Sequence, residues 1–255
     1  MAARDNISTA IRRARENGRP ALVGYLTAGF PTKESFAKNL QAVASVADVV
    51  EIGVPFSDPM ADGTTIQRSS RVALQQRVSL KWIFEFLSRL RAKPKAPMLL
   101  MTYLNPLLAF GFEKLAKTAA TAGVSGFIVP DLPFEECKEL REALDKEGLA
   151  LVQLVSPVTP DDRLAMLCKA SQGFVYAVTM TGTTGKNVAV PKDVLDYMDR
   201  VRKVSPIPVC AGFGIRNREQ VKLMENHVDG VVIGSALVEV LERDEDPAVF
   251  LRSLR

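Results

Sequence analysis

Eight short apolar runs alternate with amphipathic helical patterns along the chain, and this alternation constrains the fold more than any other feature. The runs cover 21–26, 47–54, 97–103, 126–130, 149–155, 173–179, 207–211 and 229–233. Each is nearly continuous in apolar residues, the mark of parallel strands covered on both faces. Between the runs, apolar residues recur at helical steps: Phe36, Leu40 and Val43; Leu80, Ile83, Phe84 and Leu87; Cys137, Leu140 and Leu144; Leu164, Leu167 and Cys168. The stretch Thr159-Pro160-Asp161-Asp162 reads as a helix start, with Thr159 as cap, Pro160 at the first helical position and Asp162 at the positive end.

Eight such units in 255 residues predict a single α/β domain over 1–255, a closed (β/α)8 or TIM barrel. Similar phrases lead into several strands, as in Ala122-Gly-Val-Ser-Gly-Phe-Ile-Val and His227-Val-Asp-Gly-Val-Val-Ile. An open doubly wound sheet would call for a glycine-rich fingerprint after the first strand, and Thr27-Ala28-Gly29-Phe30-Pro31 is not one. An extra N-terminal helix, with Ile7, Ala10, Ile11 and Ala14 on one face, is expected to lie on the surface ahead of the first strand. The second and sixth units are conspicuously long, and their excess falls between strand and helix, where barrel enzymes carry their sites. These segments, about 55–78 and 180–190, are expected to act as lids.

Composition narrows the chemistry. Only one histidine, His227, is present, so a histidine-rich metal site is excluded, no metal is expected, and proton transfer falls to carboxylates, tyrosine or lysine. Cys137, Cys168 and Cys210 lack CxxC spacing and read as core thiols of a reducing compartment. Lys and Arg number 33 against 29 Asp and Glu, interspersed, which does not indicate a nucleic-acid partner. No apolar stretch reaches the ~18 residues of a membrane span, and no signal-peptide core is seen, so a soluble, cytoplasmic protein is expected.

Glu51 interrupts the apolar run Ala-Asp-Val-Val-Glu-Ile-Gly-Val. A carboxylate placed there costs free energy unless it is paired or used, and burial would raise its pKa toward that of a proton shuttle. Asp58 and Asp62 follow among turn formers, where either alone would serve a turn. The Gly- and Thr-rich segment after the sixth strand is not a P-loop: Met180 stands at the first glycine of that motif and Asn187 at its final hydroxyl. After strands seven and eight come Ala211-Gly-Phe-Gly-Ile and Ile233-Gly-Ser-Ala, together the usual place for a barrel's phosphate site.

The run from Glu51 through Pro-Phe-Ser-Asp-Pro-Met-Ala to Asp62-Gly63, with Thr65-Ile-Gln following, resembles the signature of the tryptophan synthase alpha subunit family. Thr102-Tyr-Leu-Asn-Pro, Val129-Pro-Asp-Leu-Pro, the segment 176–185, Gly212-Phe-Gly-Ile and Gly234-Ser-Ala are similar, in order and spacing, to later blocks of that family. The resemblance runs essentially end to end. It implies retro-aldol cleavage of indole-3-glycerol phosphate to indole and glyceraldehyde 3-phosphate in tryptophan biosynthesis. No cofactor is implied in this chain; pyridoxal phosphate is expected in a beta subunit that receives the indole within an alpha2beta2 assembly.

Carried over position by position, the resemblance makes Glu51 the proton shuttle and Asp62 the acceptor of the indole N–H. Tyr176 would help position the substrate, and Thr184 would reach Asp62 on lid closure. Gly185, Gly214, Gly234 and Ser235 would hold phosphate, with Phe213 packing nearby. Tyr25, Met101, Phe127 and Ile128 are candidates for the apolar wall around indole. Pro55, Asp58, Pro59 and Asp131 resemble the beta-subunit contact. Two departures stand out: Thr64 where the family usually carries proline, and Met101 where leucine is common. The alternatives are a free-standing lyase and a weakly catalytic chain that mainly activates the beta subunit; another phosphosugar barrel, such as an isomerase, fits the carboxylate segment poorly.

Overall fold

The structure is a computed structural model that describes residues 2–179, 190–212 and 214–255. Its strands are β1 (Ala21–Thr27), β2 (Val49–Gly53), β3 (Met98–Met101), β4 (Val124–Ile128), β5 (Ala150–Val155), β6 (Val175–Val178), β7 (Val209–Gly212) and β8 (Gly230–Ile233). Each pairs in parallel with the next, and β8 returns to β1, so the predicted barrel closes. Around it run α1 (Ala3–Glu16), α2 (Lys33–Ala44), α3 (Thr64–Gln75), α4 (Leu80–Arg89), α5 (Leu104–Phe110) and α6 (Phe112–Ala122). The remaining helices are α7 (Lys138–Lys146), α8 (Asp161–Ala170), α9 (Lys192–Val204), α10 (Arg218–Met224), α11 (Ser235–Glu242) and α12 (Pro247–Ser253).

Strand side chains alternate between two apolar layers. Leu22, Leu26, Val50, Ile52, Leu100 and Leu151 join the core shared with the helices, whereas Ala21, Val23, Val49, Leu99, Val152 and Cys210 fill the barrel. Both faces are therefore dry, which is why the runs are apolar throughout.

The N-terminal helix does more than lie on the surface. Ile7 and Ile11 are wholly buried and belong to the layer inside the barrel. The Arg4 N–H donates to the Gly148 carbonyl and the Ser8 hydroxyl to the Gly173 carbonyl, just ahead of β5 and β6. So α1 lies across the N-terminal mouth and closes its floor, each isoleucine contributing roughly 2 kcal/mol by burial.

Two local expectations are corrected. The segment 55–78, expected to be a lid throughout, is irregular only in its first part, because α3 occupies Thr64–Gln75 and buries Ile66, Ser69, Ser70 and Ala73 at helical spacing. Thr159 does not cap α8: Pro160 is the residue ahead of its first turn, and the Thr159 hydroxyl instead accepts the Ser156 N–H at 3.0 Å. The preceding turn competes for the same oxygen and wins. The second lid lies outside the described residues except for Val190.

Candidate active site

Odd-numbered residues of β2 point into the barrel, and Glu51 is the one acid among them, in register with Tyr25 of β1 and Leu99 of β3. It is wholly buried, and among the described residues neither carboxylate oxygen has a hydrogen-bond partner. Burial, then the nearby Asp62 carboxylate, pushes its pKa up to about 8. An orphaned buried acid of this kind stays neutral at pH 7 and carries a proton it can give away.

Asp62 enters from the irregular segment between β2 and α3. Burial raises its pKa to about 6, while the Tyr103 hydroxyl beside it pulls the other way. That hydroxyl accepts the Ala61 N–H at 2.9 Å, and the Tyr103 ring stacks on Phe56 with centroids 4.8 Å apart. The Gln67 amide donates to the Asp62 carbonyl at 2.9 Å. The segment is thus tied to the residues after β3 and to α3 on both sides of the aspartate, which remains largely ionised at neutral pH while Glu51 is largely protonated.

Both acids line a cleft of about 560 Å³ at the C-terminal ends of the strands. Two tyrosine rings shape it. A Cβ on Gly53 would fall 2.0 Å from the Tyr25 hydroxyl oxygen, and one on Gly212 would fall 2.7 Å from the Tyr176 ring, so both strands need glycine there. A Cβ on Gly214 or Gly234 would meet nothing within 4 Å. The space above these two glycines and Ser235, at the N-terminus of α11, is open to the cleft and suits an anion.

Of the residues singled out in the sequence, the cleft brings together Glu51, Asp62, Tyr25, Met101, Tyr176, Gly214, Gly234 and Ser235. Phe127 is elsewhere: it points from β4 into the core shared with the helices, while Ile128 packs inside the barrel without lining the cleft. Successive side chains of a strand face opposite ways, so the two could not share one wall. Thr184, Gly185 and Phe213 lie outside the described residues. Pro55 is buried, Asp58 exposed and Pro59 half-buried. The Asp131 carboxylate accepts the Leu104 N–H at 2.9 Å, which ties the start of α5 to the segment after β4. Near these residues Met60 and Leu108 expose apolar surface on the segments after β2 and β3.

Sequence reasoning did not single out Tyr103 as a site residue, nor Ile66, Leu154, Val178 and Val232, which add to the apolar lining. The signal available for Tyr103 was its position just past β3, where barrel residues project into the site. Among the described residues no group of three His, Cys, Asp or Glu could hold a metal ion, and no helix is long and apolar enough to cross a membrane.

A closed parallel barrel with two carboxylates of separated pKa lining a cleft at the C-terminal ends of its strands, beside glycine-lined space at β7 and β8, has the layout of a (β/α)8 enzyme. Comparison with known proteins makes the assignment narrower. Residues 11–253 match the sequence profile of the family described as tryptophan synthase alpha chain, and the chain belongs to that family. The tryptophan synthase alpha chain of Solidesulfovibrio magneticus is 44% identical over 250 residues, covering 98% of both chains. That of Desulfovibrio desulfuricans is 45% identical, covering 94% of this chain and 96% of its own. Among solved structures, tryptophan synthase subunit alpha from Legionella pneumophila superposes with a TM-score of 0.88 at 31% identity, covering 100% of this chain and 97% of that one. A chain of the tryptophan synthase α2β2 complex from Pyrococcus furiosus gives 0.86 at 37% identity, covering 92% and 98%.

Proposed function

We propose that this chain cleaves indole-3-glycerol phosphate to indole and glyceraldehyde 3-phosphate, with Glu51 and Asp62 dividing the proton chemistry. The observation that carries the reading is the pair itself: one buried acid with no hydrogen-bond partner among the described residues and one ionised neighbour lining the same cleft. Protonated Glu51 donates to the ring carbon that bears the glycerol chain, giving a positively charged indolenine. Ionised Asp62 accepts its N–H and stabilises that charge. Glu51, now a carboxylate, takes the proton from the adjacent chain hydroxyl as the carbon–carbon bond breaks and its electrons return to the ring. One proton enters and one leaves, so the acid ends as it began.

Gly214, Gly234 and Ser235 hold the phosphate, and Tyr176 and Met101 flank the indole. Thr184, Gly185 and Phe213 are assigned roles beside Asp62 and the phosphate by family resemblance. Pro55, Asp58, Pro59 and Asp131 form the docking rim for a beta subunit, which carries the pyridoxal phosphate and consumes the indole; this chain supplies acid–base groups and needs no cofactor of its own. The solved Pyrococcus relative is such an α2β2 complex, which supports the same assembly here.

The test is indole release from indole-3-glycerol phosphate by the purified chain, alone and with a beta subunit. Slow release that the partner accelerates is the expected result. Fast release alone would make the chain a free-standing lyase, and none in either condition would end the reading.

A further inference from the structure

A buried chain of hydroxyls reaches the cleft from α3 and sets the direction of the proton on Tyr25. Ser69 Oγ donates its one proton to the Ile66 carbonyl at 2.8 Å. It also lies 2.6 Å from Thr27 Oγ1, so the proton between these two oxygens belongs to Thr27. Thr27 then has only lone pairs left for the Tyr25 hydroxyl, 3.3 Å away, and Tyr25 must be the donor. Thr27 and Ser69 are wholly buried, so water does not compete along the chain. The phenol therefore turns its proton toward Thr27 and keeps a lone pair that Thr27 does not use, on a residue that lines the cleft.

Position determines what that lone pair meets. β1 lies between β8, which leads to Gly234 and Ser235, and β2, where Glu51 stands in register with Tyr25. The missing Cβ of Gly53 lets the phenol oxygen reach over the end of β2. A ligand with its phosphate over Gly234 and its reacting carbon at Glu51 spans β1, and Tyr25 is the residue of β1 in register with Glu51. Resting on the lyase reading above, we propose that Tyr25 is a specificity-determining residue whose phenolic oxygen accepts a hydrogen bond from a hydroxyl of the substrate's glycerol chain. The residue is more than apolar wall: it selects a hydroxylated chain over a bare alkyl one.

The experiment compares Tyr25→Phe with the unaltered full-length chain, measuring kcat/KM for indole-3-glycerol phosphate and the inhibition constant of indole-3-propanol phosphate, whose chain has no hydroxyls. Loss of one neutral hydrogen bond should lower kcat/KM roughly tenfold. The inhibition constant should stay within about twofold, because the ring still packs over Gly53. Thr27→Val, which releases the Tyr25 proton to turn into the cleft, should lose part of the same discrimination, and Thr27→Ser should retain it. Equal weakening of both ligands by Tyr25→Phe, or no effect on either, overturns the inference and leaves the lyase reading intact. An unaltered chain that releases no indole overturns both.

Discussion

Asp48 and Glu51 stand three residues apart, one just ahead of β2 and the other at its middle, and the molecule treats them in opposite ways. Asp48, at the barrel floor, accepts two hydrogen bonds from the Arg19 guanidinium at 2.7 Å each and a third from the Leu22 N–H at 2.9 Å. Asp229, on the same floor, accepts the Val209 N–H at 2.8 Å and lies 3.5 Å from Arg202 and 3.9 Å from Arg15. Glu51, inside the strand, has no such partner among the described residues. Where acids are matched the chain gains stability; where one is buried unmatched, folding energy is held as an available proton.

Glu51→Gln is the sharpest way to break this contrast. The amide keeps the shape but cannot move a proton, so kcat should fall about a thousandfold while ligand binding persists. Turnover near that of the unaltered chain would remove Glu51 from the mechanism. In the unaltered chain kcat/KM should rise with pH as Asp62 ionises, near 6, and fall as Glu51 loses its proton, near 8. A profile flat across that interval would separate the two acids from the rate.

The same proton makes stability depend on pH. The folded chain holds it up to about pH 8, whereas the unfolded chain releases it near 4.5. The native state therefore binds more protons in that window, and stability falls as pH rises through it, by at most about 1.4 kcal/mol per unit. Urea unfolding at about pH 5 and about pH 8 should show this loss in the unaltered chain and a smaller one in Glu51→Gln. Equal slopes would mean that Glu51 is not the acid being titrated.

Asp48→Asn should do the reverse of Glu51→Gln, destabilising the chain by about 2 kcal/mol while kcat and KM stay within about twofold. A large loss of turnover at unchanged stability would erase the distinction between floor and top. The smallest effect belongs to Arg68, whose half-exposed bidentate pair with Glu242 joins α3 to α11 on the outside. Arg68→Ala should change unfolding by under about 1 kcal/mol.

Much of the site was legible because its chemistry breaks a pattern: a glutamate in an apolar strand and paired glycines after the last two strands need no coordinates to stand out. What stayed hidden depended on facing. Phe127 and Ile128 are both apolar in a strand dry on both sides, so composition could not say which looks inward, and a register irregularity between β3 and β4 blurs the count further. Tyr25 was legible as a ring beside the site but not as an oriented acceptor, since that follows from Thr27 and from Ser69, more than forty residues away.

The sequence by itself determined the number and order of the strands, their closure into a barrel, and Glu51 as an acid out of place in an apolar strand, because local periodicity and a misplaced charge are properties of neighbouring residues. The tertiary structure alone decided that α1 seals the floor, that Tyr103 holds the Asp62 segment, that Phe127 faces away and that Glu51 has no hydrogen-bond partner among the described residues. Each of these depends on which distant surfaces meet, and burial and hydrogen-bond direction exist only once they do.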